Sequence, residues 1–405
     1  MLRPVTFCAA ILALSAIVTF ALADDSKIVI TVKRPKPAVE VPATPPFQGQ
    51  RPSVDVALLL DTSNSMDGLI SQAKRQLWTI VQQFSKAKKD GQTPVLRVAL
   101  FEYGNTRLPA SEGFIRQVVA LTDDLDKLSE ALFALSTSGG DEYCGQVIDE
   151  AITRLDWSKE NGGYKAIFIA GNEPFTQGTV DYHKACKRAI EKGIVVNTIH
   201  CGTSSAGLDG KWQHAAQLAE GESFNIDQDR AVVEVKCPQD EIIIKLNSDL
   251  NGTYLWYGKA EVRQRFAENQ VAQDANAIAA GEGVAAGRVV VKAGSGYSNR
   301  NRDLVDSLKE DEEILKKLPR EDLPDALKDL TPEKREAHVR EVAARRAGIQ
   351  KQINDLAAER EAYLDKVRAQ QGSPASDDTT LGSAVSKAVS RQLANSGFEI
   401  GAIGK

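Results

Sequence analysis

The sequence is poor in several residue types that common chemistries rely on. Four histidines in 405 residues leave little room for histidine-based zinc sites. Aromatic residues are only 6%, too few for a broad platform that stacks sugars or bases. Positive charge is not in excess: 50 Lys and Arg face 55 Asp and Glu, a net charge of −5 that excludes a nucleic-acid binder held by bulk charge. With 30 Gly and 15 Pro the chain is neither collagen-like nor wholly disordered. Five cysteines show no Cys-x-x-Cys pair, which removes the usual zinc and redox readings. No Gly-x-Ser-x-Gly, His-Glu-x-x-His or phosphate loop is present, so no hydrolase or NTPase machinery is visible. The stretch Gly281 to Gly287 has one residue too many for a dinucleotide fingerprint and follows no clear strand. Asn251, Gly252 and Thr253 formally make a glycosylation acceptor but read as a turn. His183, His214 and His338 show no pairing at ligand spacing, and His200, which ends an apolar strand, reads as a packed histidine.

Long apolar runs are also lacking, except at the N-terminus. There Arg3 precedes an apolar stretch from Phe7 to Leu22, and Ala21, Leu22 and Ala23 form a small-x-small site before Asp24. This pattern predicts a secretory signal peptide over residues 1–23, cleaved after Ala23, and hence a secreted or periplasmic protein. Cys8 falls inside it. The four remaining cysteines, Cys144, Cys186, Cys201 and Cys237, permit two disulfides in an oxidising compartment, with buried free thiols as the alternative. Cys144 and Cys201 both fall near the ligand-binding edge of the expected sheet, which makes a Cys144–Cys201 bridge the pairing to test.

Residues 24–52 hold six prolines and read as an extended linker. From Val54 the texture changes. Apolar runs at Val54–Leu60, Val95–Phe101, Ile115–Leu121, Ala166–Ala170, Ile194–Cys201 and Ser223–Ile226 alternate with helical patterns. Buried strands alternating with amphipathic helices predict an α/β fold over residues 53–230, a doubly wound, mostly parallel sheet covered on both faces. Ligands of such sheets bind beyond the carboxyl ends of the strands, which directs attention to Asp61, Gly104, Gly171 and Cys201. Residues 231–330 are mixed and helical. A long helix over residues 331–371, about 60 Å at 1.5 Å per residue, carries Val342, Ile349, Leu356 and Tyr363 at seven-residue steps. Its companion seam, Val339, Arg346, Ile353, Arg360 and Val367, is broken by arginines. A stripe this narrow suits a coiled coil and a homo-oligomer through residues 331–371; folding back onto residues 240–300 is the alternative. Residues 372–405 read as a linker and a terminal helix.

The chemistry concentrates after the first strand, at Asp61, Thr62, Ser63, Asn64 and Ser65. A turn at a strand's end can point the alternate side chains Asp61, Ser63 and Ser65 at one spot. One carboxylate and two hydroxyls are hard oxygen donors, suited to Mg²⁺, Mn²⁺ or Ca²⁺. With so little negative charge the ion would seek an outside anion, typically a partner's carboxylate.

This stretch, in its alternating α/β setting, resembles the von Willebrand factor type A domain, whose metal-ion-dependent adhesion site uses Asp-x-Ser-x-Ser. The resemblance implies a divalent cation, Mg²⁺ foremost, held by Asp61, Ser63 and Ser65, and a protein partner that supplies a carboxylate. Two further positions depart from the family. The loop expected to carry a Thr reads Gly139, Gly140, Asp141, Glu142, so Asp141 or Glu142 would supply the oxygen. The expected Asp after the fourth strand is Gly171, which leaves Asn172 or Glu173 to reach the site. A carboxylate in place of Thr would neutralise the ion further, strengthening resting affinity and weakening the pull on an outside anion. The implied function is a non-enzymatic, extracytoplasmic adhesion-type binding protein. Its alternatives are an envelope scaffold with a degenerate metal site, and an unrecognised hydrolase in residues 231–405, which the lack of any clustered nucleophile and base argues against.

Overall fold

The computed structural model describes residues 51–159, 162–230, 232, 234–370 and 379–401. The expected signal peptide, Cys8, most of the proline-rich linker and residues 372–378 lie outside these described residues. The first half runs β1 (Ser53–Asp61), α1 (Asp67–Ser85), β2 (Ala87–Lys88), β3 (Val95–Tyr103), β4 (Ile115–Thr122), α2 (Leu125–Phe133), α3 (Cys144–Arg154), β5 (Tyr164–Gly171), α4 (Tyr182–Glu191), β6 (Val195–Cys201), α5 (Ser204–Asp209), α6 (Trp212–Leu218) and β7 (Ser223–Ile226). Helices then dominate: α7 (Pro238–Asn251), α8 (Ala260–Ala280), α9 (Glu282–Ala293), α10 (Leu304–Ser307), α11 (Ile314–Lys317), α12 (Pro332–Gln370) and α13 (Leu381–Asn395), before the short β8 (Glu399–Ile400).

The main sheet has the order β4-β3-β1-β5-β6-β7, parallel throughout except for β4, which pairs antiparallel with β3. Strand alternation sorts the core onto two faces. Val56, Leu58 and Leu60 of β1 face α1, while Ala57 and Leu59 face α3 and α4. The second face is completed by Ile148 of α3, Ala185 of α4 and Trp212 of α6. The first face draws on α1, and also on Val289 of α9, Ile353 of α12 and Val385 of α13. One continuous core therefore crosses residue 230, where the apolar pattern of the sequence changes. Helix α13 lies against α1, and its Gln392 side chain exchanges hydrogen bonds with Asn197 of β6 (2.6 and 3.1 Å) and accepts one from Tyr164 Oη (2.6 Å).

This two-sided packing corrects the disulfide expectation. Cys144 sits in the core of one face and Cys201 in the core of the other, with the sheet between them. Cys144, Cys186, Cys201 and Cys237 are all buried free thiols. Burial pushes the Cys144, Cys186 and Cys201 thiols up, away from the reactive thiolate.

The coiled-coil expectation is corrected as well. The long helix forms, but its stripe is used within the chain: Ile349 and Ile353 are buried in the shared core, and α12 packs on α7 and α9. The arginines that break the companion seam point inward. Arg346 donates to Asp303 (2.7 and 3.0 Å) and Thr253, and lies over the Tyr254 ring at 4.3 Å. Arg360 pairs with the buried Asp240. Tyr363, by contrast, is exposed. The stripe that motivated a homo-oligomer is thus largely covered by the same chain.

Buried charge also ties the helices to the sheet. Arg288 of α9 bridges Asp126 of α2 (2.9 Å) and Asp274 of α8 (2.5 Å); Lys292 donates to Asp274 at 3.1 Å. Arg300 and Arg302 pair with Asp123 and Asp124 at the start of α2.

Two predictions follow from these pairs. Arg346→Ala strands the fully buried Asp303 and should lower the unfolding free energy by about 3–5 kcal/mol in urea titration, whereas the exposed Arg340→Ala should change it by less than about 0.5 kcal/mol. At Asp274, burial pushes the carboxyl up, but Arg288, Lys292, Asn251 and Asn247 outweigh burial and hold it at about 2. A carboxyl depressed in the folded state contributes stability above its unfolded pKa and loses it as pH falls through the folded one. Wild type should therefore shed up to about 2 kcal/mol between roughly pH 4 and pH 2 that Asp274→Asn does not; urea unfolding across that window measures the difference.

Candidate metal centre

Strand β1 delivers Asp61 to the carboxyl edge of the sheet with its side chain fully buried. The chain then turns sharply. Ser63 N donates to Asp61 Oδ1 at 2.7 Å, and Met66 N to Ser63 O at 3.0 Å, so the backbone folds around the carboxylate before α1 begins. This turn brings Ser63 Oγ and Ser65 Oγ to 3.2 Å. Asn172, just past β5, donates to Ser65 Oγ at 3.2 Å.

The loop before α3 closes over this turn. Ser138 N donates to Thr62 O (2.9 Å), and Thr106 N donates to Gly139 O (2.8 Å). Gly140 is needed for the close approach, since a Cβ there would stand 2.5 Å from Gly104 O. Gly104 takes a left-handed φ of +77°, and its own Cβ would meet Glu142 and Asp61 at 2.7 and 2.9 Å. With both glycines in place Glu142 is buried against Asp61, and Gln177 Oε1 accepts from its backbone N–H at 2.7 Å.

Two buried carboxyls now share one pocket, and no described Lys or Arg pairs with either. Asp61 Oδ2 and Glu142 Oε2 are buried without a hydrogen-bond partner, as is Asn172 Oδ1. Burial raises the Asp61 carboxyl. Burial, then the contact with Asp61 and its charge, pushes Glu142 up to about 9. Like charges at this spacing cannot both ionise without a proton or a cation between them.

Of the seven residues singled out in the sequence, the structure brings together five, Asp61, Ser63, Ser65, Glu142 and Asn172, and it does not bring in the other two. Asp141 is exposed, and its Oδ2 accepts from Tyr143 Oη at 3.0 Å. Glu173 is half-buried, contributes only its charge at Glu142, and offers its carbonyl to Trp212 Nε1 at 3.0 Å. Among the described residues no three His, Cys, Asp or Glu side chains converge as a metal cluster, so any cation here would depend on the hydroxyls as well.

Two contributors lacked a sequence signal. Gln228, after β7, donates to Ser65 O at 2.6 Å and leaves Oε1 buried without a partner. Tyr103, at the end of β3, is fully buried and donates to Ala170 O at 3.0 Å. Tyr103 also explains Gly171, because a Cβ there would come within 2.4 Å of the Tyr103 hydroxyl and 3.0 Å of Asp61 Oδ2. Gly171→Ala should therefore cost about 1–3 kcal/mol of stability by overpacking, and Tyr103→Phe should relieve part of that cost. A double-mutant cycle in urea checks this, with a coupling energy of at least about 0.5 kcal/mol expected.

No curated protein matches this chain. The SpRpn10 VWA domain is 19% identical over 43% of this chain and 88% of its own, with a TM-score of 0.34. BatB from Bacteroides thetaiotaomicron, titled a conserved hypothetical protein, is 16% identical over 55% and 98%, with a TM-score of 0.34. Proximal thread matrix protein 1 from the mussel byssus, with a zinc-occupied MIDAS motif, is 17% identical over 44% and 43%, with a TM-score of 0.34. A family model described as the von Willebrand factor type A domain matches residues 55–232. Those residues, which span the six-stranded sheet and the carboxyl edge just described, are a von Willebrand factor type A domain.

Proposed function

We propose that this protein is an extracytoplasmic binding module whose type A domain holds one divalent cation and presents it, with the surrounding loops, to a protein partner. Domains of this family often mediate adhesion and protein interaction and are generally not enzymes. The observation that carries the reading is the pair of buried, partnerless carboxylate oxygens, Asp61 Oδ2 and Glu142 Oε2, beside the hydroxyls of Ser63 and Ser65. These residues fit a hard cation. Oxygen donors suit Mg²⁺, Mn²⁺ or Ca²⁺ alike, and the family resemblance puts Mg²⁺ first. When bound, the ion would supply the counter-charge that the two carboxyls lack.

Asp61, Ser63, Ser65 and Glu142 would hold it, with Asn172 and Gln228 orienting the turn from outside. Two carboxylates match a double positive charge, so a bound ion would have less need of an anionic group from a partner and would accept a neutral oxygen as readily as a carboxylate. The signal-peptide pattern ending at Ala23 supports a secreted or periplasmic location, and no helix among the described residues is long and apolar enough to cross a membrane.

A structural scaffold with a degenerate site is the second reading. It is favoured by one observation: a single proton shared between Asp61 and Glu142 would also quiet the pair.

Calorimetry with Mg²⁺, Mn²⁺ and Ca²⁺ separates the two. The cation reading predicts one ion bound below the millimolar range, abolished by Asp61→Ala. It also predicts release of a proton at neutral pH, because the cation must displace the one held at Glu142. Absence of binding by all three ions would favour the scaffold.

A further inference from the structure

We propose that His183 and His214 form a second, chemically distinct cation site, for a borderline metal such as Zn²⁺, on the side of the domain built by α4 and α6. The sequence gives no hint of pairing, since the two residues lie on different helices, but the fold sets their ring centres 5.3 Å apart with the ring planes at 67°. That spacing has a direct test against coordination geometry. A Zn–N bond of about 2.0–2.1 Å and a ring centre about 1.1 Å behind the nitrogen put each ring about 3.2 Å from the metal. Two imidazoles at a tetrahedral angle then have centres about 5.2 Å apart. The observed separation of the ring centres is close to that value, and the His183 ring also stands 4.1 Å from the Tyr182 ring, tilted by 33°.

Both rings are held through the same nitrogen. His183 Nδ1 lies 2.7 Å from Asp181 Oδ1, and His214 Nδ1 lies 2.9 Å from Tyr182 Oη. No described residue hydrogen-bonds either Nε2. An imidazole whose far N–H meets a carboxylate or hydroxyl is the arrangement that orients metal-binding histidines and raises their basicity. The two supports are themselves fixed. Asp181 caps α4, its Oδ1 also accepting from His183 N at 2.9 Å. Tyr182 is buried and meets Phe175 edge-on at 5.7 Å, and Phe175 in turn meets Trp212 at 4.7 Å. The pair therefore stands on the hydrophobic core of the second face, while the His183 side chain remains 52% exposed.

Two imidazoles suit Zn²⁺, Cu²⁺ or Ni²⁺ and suit Mg²⁺ or Ca²⁺ poorly, so this site would not compete for the cation of the oxygen-lined one. With two protein ligands it leaves coordination positions for water or for a partner's own His or carboxylate. Edge-to-face ring stacking alone would give a similar separation, and the experiment is chosen to tell the two apart.

The experiment is a Zn²⁺ titration by calorimetry of the mature protein, in excess Mg²⁺ and again in Asp61→Ala, so that zinc entering the oxygen site is recognised. The proposal expects one Zn²⁺ that persists in Asp61→Ala. Its affinity should fall by at least roughly tenfold in His183→Gln and in His214→Gln, and by several-fold in Tyr182→Phe. Circular dichroism should be unchanged in the two surface histidine variants. Zinc affinity within twofold of the parent in either histidine variant, or no zinc uptake by Asp61→Ala, would overturn it and leave the pair as stacked rings.

Discussion

The structure turns on two carboxyl groups, Asp61 and Glu142, that share a buried pocket with no Lys or Arg of the described residues paired to them. Charge of one sign in such a place must be answered by a proton, a cation or a rearrangement. The surrounding chain permits no easy rearrangement. Gly104, Gly140 and Gly171 sit where any side chain would collide with the pocket wall, and the backbone bonds between the β1, β3 and α3 loops close it. The parallel sheet supplies the frame, because β1, β3 and β5 end together at this edge in register. The pocket is thus a consequence of the sheet's topology combined with three close backbone approaches.

The C-terminal half is part of the same body rather than an appendage. Helix α13 returns to cover α1 beside the sheet, and the Gln392–Asn197 amide pair fixes its register over β6. Between β7 and α13 the chain builds α7 to α12, joined to α2 by Asp126, Arg288, Asp274 and Lys292 and internally by Arg346 and Asp303. Buried ion pairs of this kind add little net stability over apolar packing, yet removing one partner is costly, so their effect is to specify which helices meet. Gln72 of α1 extends the connection to the site. It donates to the carbonyls of Asp227 and Gln228 and accepts from Leu381 N at the start of α13.

Much of the sheet was legible because buried parallel strands write themselves as short apolar runs, and the turn at Asp61, Ser63 and Ser65 was legible because alternate oxygen donors after such a run have a clear chemical use. The loop that carries Glu142 was legible as one facing the turn, but which of Asp141 and Glu142 lies buried beside Asp61 depends on the loop's path. The failures share a cause, which is that sequence spacing does not report which face or which helix a residue meets. Cys144 and Cys201 both approach the same edge but from opposite faces. Arg346 and Arg360 look like interruptions of a seam, and become its buried and half-buried members once Asp303 and Asp240 are placed against them. His183 and His214, separated in sequence by a strand and a helix, meet ring to ring. Gly171 offers no ligand oxygen, and the Tyr103 hydroxyl fills the space that a side chain there would need.

The central claim is that the carboxyl pair is balanced by a cation and not by a shared proton. A crystal of the mature protein grown with Mn²⁺ tests it most directly through anomalous scattering. The account predicts one anomalous peak bounded by Asp61, Ser63, Ser65 and Glu142, at oxygen distances of roughly 2.0–2.4 Å. A map with no peak there, and with the Asp61 and Glu142 oxygens at short hydrogen-bond distance, would contradict it.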